Sequence, residues 1–214
     1  MQRDMPTAIV AVVVSVYWLA VMAMAARSWI RFRGPAGLIP KVSRERWIWL
    51  LWIPAVIAWI ILPWQAWDDS QQPAEFDNFT GLLHISRYAF ALLAITAFGL
   101  TVHCWFVMGA NWSLAVTPRK QTSLVTRGAF GVVRHPIYAL SLLLMLTTVL
   151  TVASGPILLV GLIHTAMIVA KTLSEERYLR QLHGPAYDRY CQQTGRYLPV
   201  RWLRRTRSAE GPTL

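Results

Sequence analysis

Arg134 and His135 stand at the start of one apolar run, and Glu175 and Glu176 stand at the end of the next. Between the two runs lies Ser154-Gly155-Pro156, a tripeptide suited to a tight turn. Such a turn folds the runs into a hairpin and brings all four residues to one membrane face. An arginine fork can hold a carboxylate through paired hydrogen bonds, while a glutamate can hold an ammonium group or a ribose diol. With Arg196 and several tyrosines nearby in the sequence, these residue types suit a zwitterionic ligand, and apolar side chains could clamp a purine. Spacing alone equally allows a plain reading, in which Arg134 is a surface anchor, His135 a boundary residue and the glutamates a solvated turn.

The elements that must position these residues are helices in a membrane. The 214-residue chain is 55% hydrophobic with eleven tryptophans and only 14% charged residues, a composition wrong for a soluble domain. A helix needs roughly 20 apolar residues to cross hydrocarbon. Five windows serve: Thr7 to Ala26, Trp47 to Trp67, Leu82 or Ile85 to Met108, Pro136 to Ala153, and Ile157 to about Leu173. Every backbone amide in them must be paired internally, so the expected fold is all-α, a polytopic bundle of about five transmembrane helices with a short interfacial helical region near the carboxyl terminus. The first window is too long for a typical signal-peptide core and reads as a retained helix. Pro136 suits a first helical position, and Pro54 and Pro63 are expected to kink the second span.

The net charge of +11 lies in the connections and the tail, which argues for membrane topology and against nucleic acid as a partner. Arg27, Arg31, Arg33, Lys41, Arg44 and Arg46 fill the first connection, whereas the second carries Asp68, Asp69, Glu75 and Asp77. The positive-inside rule then puts the amino terminus outside and the carboxyl terminus in the cytoplasm. Cys104 and Cys191 are too few and too ill-spaced for a disulfide framework or a zinc site, and no metal is expected. His103 reads as a hydrogen-bonded residue, and His164, in mid-span, as neutral and paired within the bundle. Asn78, Phe79 and Thr80 match the glycosylation acceptor pattern, a tripeptide common by chance. The last span can continue as a helix past Lys171 until Gly184 and Pro185 stop it, with Tyr187 and Tyr190 on a short interfacial helix beyond.

The segments MGANWS, GAFGVVRHPIY, SEERYL and HGPAYDRYCQQTGRYLP, in this order from Met108 to Pro199, resemble the isoprenylcysteine carboxyl methyltransferase family and its relatives among phospholipid methyltransferases. The five-span plan is that of its smaller prokaryotic-type members; the animal and fungal enzymes have extra amino-terminal spans. The resemblance implies an integral-membrane enzyme of a bacterial inner membrane that uses S-adenosyl-L-methionine and releases S-adenosyl-L-homocysteine. It implies that His135, Pro136, Tyr138, Glu175 and Glu176 bind the cofactor, and that Arg134 and Arg196 act at the reaction centre by holding carboxylates of the cofactor or of the acceptor. Which arginine takes which is left open.

The chain divides accordingly into three amino-terminal spans over 1–108, a methyltransferase core over 109–199 and a basic tail over 200–214. The expected partners are membrane lipids and a lipophilic or lipid-linked acceptor, which need not be a prenylated protein. A carboxylate acceptor requires no strong base, because an α-carboxyl group with a pKa of about 3.5 is already ionised at neutral pH. Amine or thiol acceptors would need deprotonation, by His135, Glu176 or a tyrosine. The competing expectations are a phospholipid or small-thiol methyltransferase of the same fold, a sterol-reductase-like enzyme using NADPH, and a non-enzymatic scaffold.

Overall fold

The computed structural model describes residues 4–32, 43–68, 82–109, 112 and 124–199. Over these residues the chain forms α1 (Met5–Phe32), α2 (Ser43–Asp68), α3 (Leu82–Met108), a 3-10 turn at Gly128–Gly131, α4 (Pro136–Val152), α5 (Gly155–His183) and α6 (Pro185–Gln193). Residues 33–42, the 69–81 connection with its Asn78-Phe79-Thr80 tripeptide, Arg119, Lys120 and the 200–214 tail lie outside the described residues. Helices α1, α2, α3 and α5 are each long and apolar enough to cross a membrane, and α4 is a shorter apolar helix of 17 residues. At 1.5 Å per residue α4 is about 25 Å long, slightly under the thickness of a hydrocarbon core. The outer faces are apolar, with Leu19, Ile30, Leu51, Leu92, Phe106 and Leu162 all exposed, as a multi-pass membrane protein in lipid requires.

The helices pack as neighbours across one bundle: α3 lies on α4, α2 on α5, and α1 touches α2, α3 and α4. Small residues allow close approach where lipid offers no hydrophobic drive for association. Ala91, Ala94 and Ala97 are buried at three-residue spacing on α3. A Cβ on Gly161 of α5 would come within 3.0 Å of Val149 on α4, so this glycine sets how tightly the last hairpin closes.

The tight turn of that hairpin falls earlier than Ser154–Pro156. Helix α4 ends at Val152, Ala153 adopts the left-handed conformation with φ 50°, and Ser154 is the extended residue before α5. Gly155 and Pro156 are already helical. The physical reason is that the first-turn amides of a helix have no partner inside it, so a proline there opens the helix without loss. With so short a turn, Pro136 on α4 comes level with Lys171 on α5, and the rest of α5 overhangs its partner. That overhang carries Thr172, Glu175 and Glu176 to the mouth of α4.

Polar side chains inside the bundle are tied to one another. Tyr17 on α1 donates to Ser141 Oγ on α4 at 3.3 Å, Ser141 lies 3.1 Å from His164 Nε2 on α5, and Trp52 on α2 donates to His164 Nδ1 at 3.2 Å. An indole N–H can only donate, so Nδ1 is the acceptor and the neutral ring carries its proton on Nε2. His164 is thus paired within the bundle, as its mid-span position demands. At the end of the bundle opposite to Arg134, the Arg87 guanidinium bonds Asp4, Thr7 and the Thr151 carbonyl, joining the starts of α1 and α3 to the end of α4. Both proline positions of the second span, Pro54 and Pro63, lie inside the continuous helix α2.

Candidate functional site

At the level where α4 begins, the chain after α6 returns across its mouth. Val133 and Gly195 form a parallel bridge, the Arg134 amide donates to the Gly195 carbonyl at 2.7 Å, and the His135 amide donates to the Arg196 carbonyl at 3.1 Å. Tyr190 on α6 donates to the Phe130 carbonyl at 2.6 Å, and Tyr197 donates to Thr172 on α5 at 2.7 Å. The 194–197 segment is therefore a strap that closes the α4–α5 hairpin.

Glu176 lies under this strap, with its side chain only 8% exposed. Arg134 Nε donates to its Oε1 at 3.2 Å. Arg196 approaches it with two donors, Nε to Oε1 at 3.0 Å and Nη2 to Oε2 at 2.6 Å. Burial of a carboxylate is costly unless it is paired and hydrogen-bonded, and two guanidinium groups meet that condition here. The hydrogen bond to Glu176 also raises the pKa of Arg196 above its ordinary value, against a smaller opposing effect of burial.

The two arginines are not equivalent. Arg134, with its side chain 12% exposed, also donates Nη1 to the carbonyls of Cys191 and Thr194, which end α6. Arg196 is 41% exposed and can be reached from outside the cluster.

Around this ion cluster the remaining sequence candidates are close at hand. His135 is buried and stacks on Tyr138, with ring centroids 5.4 Å apart and planes 10° from parallel. The Tyr138 hydroxyl donates to Glu175 Oε2 at 2.7 Å. Pro136 is buried at the first position of α4. His135 Nε2 lies 3.4 Å from Glu176 Oε1, without the geometry of a hydrogen bond. Burial pushes the neighbouring Tyr190 phenol up to about 12, partly offset by the Arg134 charge. All seven residues singled out from the sequence thus gather at one end of the bundle.

Sequence reasoning missed several neighbours. Lys171 places its ammonium 5.3 Å from the Trp52 ring centroid and 5.6 Å from that of Tyr138, within cation–π range of both. Helical periodicity could have found it, since Lys171 and Thr172 precede Glu175 and Glu176 by one turn and share their faces. The carbonyl caps on Arg134 carry no comparable signal.

Residues 85–186 match the phospholipid methyltransferase family model. The matched segment runs from α3 into α6 and contains Arg134, His135, Pro136, Tyr138, Glu175 and Glu176, while Arg196 lies beyond it. The chain is also 27% identical over 181 residues to the nickel-cobalt-cadmium resistance protein NccN of Alcaligenes xylosoxydans xylosoxydans, a similarity covering 81% of this chain and 74% of that protein. The matched segment supports a membrane methyltransferase. Among the described residues, no group of three or more His, Cys, Asp or Glu side chains could hold a metal ion.

Proposed function

We propose that this chain is an integral-membrane methyltransferase that uses S-adenosyl-L-methionine to methylate the carboxylate of a lipophilic acceptor, in the manner of isoprenylcysteine carboxyl methyltransferases. The observation that carries the reading is Glu176, buried at the α4–α5 mouth and held by Arg134 and Arg196, within or beside the segment that matches a methyltransferase family. The residues present fit the cofactor. His135 Nε2 is a buried polar atom in want of a hydrogen bond, and Tyr138 offers an aromatic face beside it. A carboxylate has about four lone-pair sites. Glu176 Oε1 accepts from both arginines while Oε2 accepts once, and Glu175 accepts from Tyr138, so both acids keep acceptor capacity for an ammonium or a diol.

When bound, the cofactor supplies an electrophilic methyl group on a sulfonium. The protein's contribution is alignment and exclusion of water, which for well-oriented reactants can supply roughly 7–11 kcal/mol of the barrier. The strap and the stacked His135–Tyr138 pair wall off the mouth of α4. Arg196 is the reachable guanidinium and holds a carboxylate; Arg134, tied to Glu176 and to the carbonyls of Cys191 and Thr194, fixes the geometry. Lys171 adds positive charge on the membrane side of the cluster, which suits an anionic acceptor entering from the bilayer.

The description of the matched family favours a second reading, transfer to a phospholipid amine. That acceptor would have to lose a proton first, and the buried His135 ring is placed to take it. Incubating the purified protein with lipid extract and methyl-labelled cofactor, followed by mass spectrometry, separates the two: a methyl ester supports the carboxylate reading, and an N-methylated lipid replaces it. The proposed orientation puts the site at the cytoplasmic face of a bacterial inner membrane, with the amino terminus outside.

A further inference from the structure

Threonine hydroxyls in the last hairpin follow one habit, from which Ser141 departs. Thr147, Thr148 and Thr151 on α4, and Thr165 and Thr172 on α5, each donate to a carbonyl of their own helix at 2.7–2.8 Å. Thr148 also accepts the Trp59 indole N–H at 3.2 Å, so it takes one proton and passes its own on. Ser141, only 3% exposed, turns away from its helix and faces Tyr17 at 3.3 Å and His164 Nε2 at 3.1 Å.

The protons of this network do not balance. Trp52 donates to His164 Nδ1, so His164 Nε2 carries a proton and gives it to Ser141 Oγ. Tyr17 gives its own proton to the same oxygen. Both lone pairs of Ser141 are then filled, and its O–H has no acceptor among the described residues. Four protons, one each from Trp52, His164, Ser141 and Tyr17, serve three contacts, so turning the hydroxyls round moves the surplus to Tyr17 without removing it. An unspent buried donor is costly.

The surroundings narrow what would accept it. The Tyr17 ring packs on Trp18 with centroids 5.2 Å apart and on Trp105 at 6.1 Å, and both indole N–H groups are buried without a partner. Indoles only donate. A water molecule would bring two more protons to a place already short of acceptors, whereas an ester carbonyl brings lone pairs and no proton. Ser141 lies about 7.5 Å deeper than Pro136 along α4, at 1.5 Å per residue, and the half-buried Tyr138 stands one turn nearer the mouth. A lipid whose head group lies at the Glu176 cluster carries the linkage to its chains toward this depth.

We propose that Ser141 is a lipid-binding residue whose hydroxyl donates to an ester carbonyl of the lipophilic acceptor. The placing of the head group rests on the reading of the Glu176 cluster as the methyl-transfer site; the surplus proton does not.

The test offers full-length wild type, Ser141→Ala, Ser141→Cys and Tyr17→Phe in detergent an equimolar mixture of dioleoyl phosphatidylserine and its diether analogue, and weighs the retained lipid by native mass spectrometry. Phosphatidylserine carries both a carboxylate and an amine at its head, and the ether keeps the shape without the carbonyl. Wild type should prefer the ester about three- to tenfold, the effect of one hydrogen bond. Tyr17→Phe leaves the Ser141 proton unspent and should keep the preference. Ser141→Ala should lose it; should alanine not fold, Ser141→Cys, whose S–H is a weak donor, should reduce it. Equal uptake or no uptake by wild type, an unchanged preference in the Ser141 variants, or its loss in Tyr17→Phe overturns the proposal. No cofactor is present, so failure here leaves the methyltransferase reading standing, and a lipid extract that takes up no methyl label leaves the carbonyl contact standing.

Discussion

Arg196 grips Glu176 at two points, 3.0 and 2.6 Å, across the gap between the strap and α5. This pair closes a circuit, because the Arg196 carbonyl also accepts the amide of His135 at the start of α4. Three elements from separate parts of the sequence therefore converge on one carboxylate, and the arrangement can be taken apart one contact at a time.

Arg134 is the test of the strap. Its guanidinium spans Glu176 and the carbonyls of Cys191 and Thr194, a reach that a lysine ammonium does not have. Arg134→Lys should lose about 1.5–3 kcal/mol, the range for a hydrogen bond to a charged group. Hydrogen exchange should show the loss as faster exchange at the amides of residues 134 and 135, which pair with the strap. Unchanged protection there would mean that the strap is held by Tyr190 and Tyr197 alone.

The turn between α4 and α5 carries a strained residue. Ala153 sits at φ 50°, where an L-residue loses roughly 1–2 kcal/mol relative to its usual conformations. Ala153→Gly should relieve part of this and raise the unfolding temperature by about 2–4 °C. A lower unfolding temperature would show that the left-handed turn is not the conformation the hairpin adopts.

Much of this architecture was readable from residue order. The spans were marked by apolar length, the start of α4 by Pro136 and the end of α5 by Gly184, and the hairpin logic brought Arg134 to Glu176. The turn was displaced because Gly155 and Pro156 read as breakers, although both are tolerated in the first turn of a helix. The pairing of Val133 with Gly195 left no trace in the sequence, since a single bridge has no periodicity and depends on contacts distant along the chain. Residue order placed Tyr187 on a short interfacial helix but gave no sign that it would be completely buried.

The polar chain inside the bundle should behave as a unit. Ser141 joins Tyr17 to His164, so removing either end leaves the middle group short of a partner. A double-mutant cycle of Tyr17→Phe and Ser141→Ala should give a coupling energy of about 0.6 kcal/mol, the average for hydrogen bonds between membrane helices. Additive effects would mean that the 3.3 Å contact contributes nothing.

Topology gives an independent check on where the cofactor enters. Arg87, Asp4 and Thr151 mark the end of the bundle opposite to Arg134 and Glu176. A reporter fused after Leu214 should be cytoplasmic, and one inserted near Gln72 should be external. The reverse result would put the cluster on the side that a cytosolic cofactor does not reach.

The most direct measurement is calorimetric titration of wild type and Glu176→Gln in nanodiscs, with S-adenosylmethionine and with NADPH in separate runs. Glutamine keeps the shape and removes the charge that both guanidinium groups face. The expected result is binding of S-adenosylmethionine and not NADPH to wild type, at least tenfold weaker in the variant, with both proteins folded. Equal affinity in the two proteins would remove Glu176 from the site, and binding of NADPH alone would contradict the methyltransferase account.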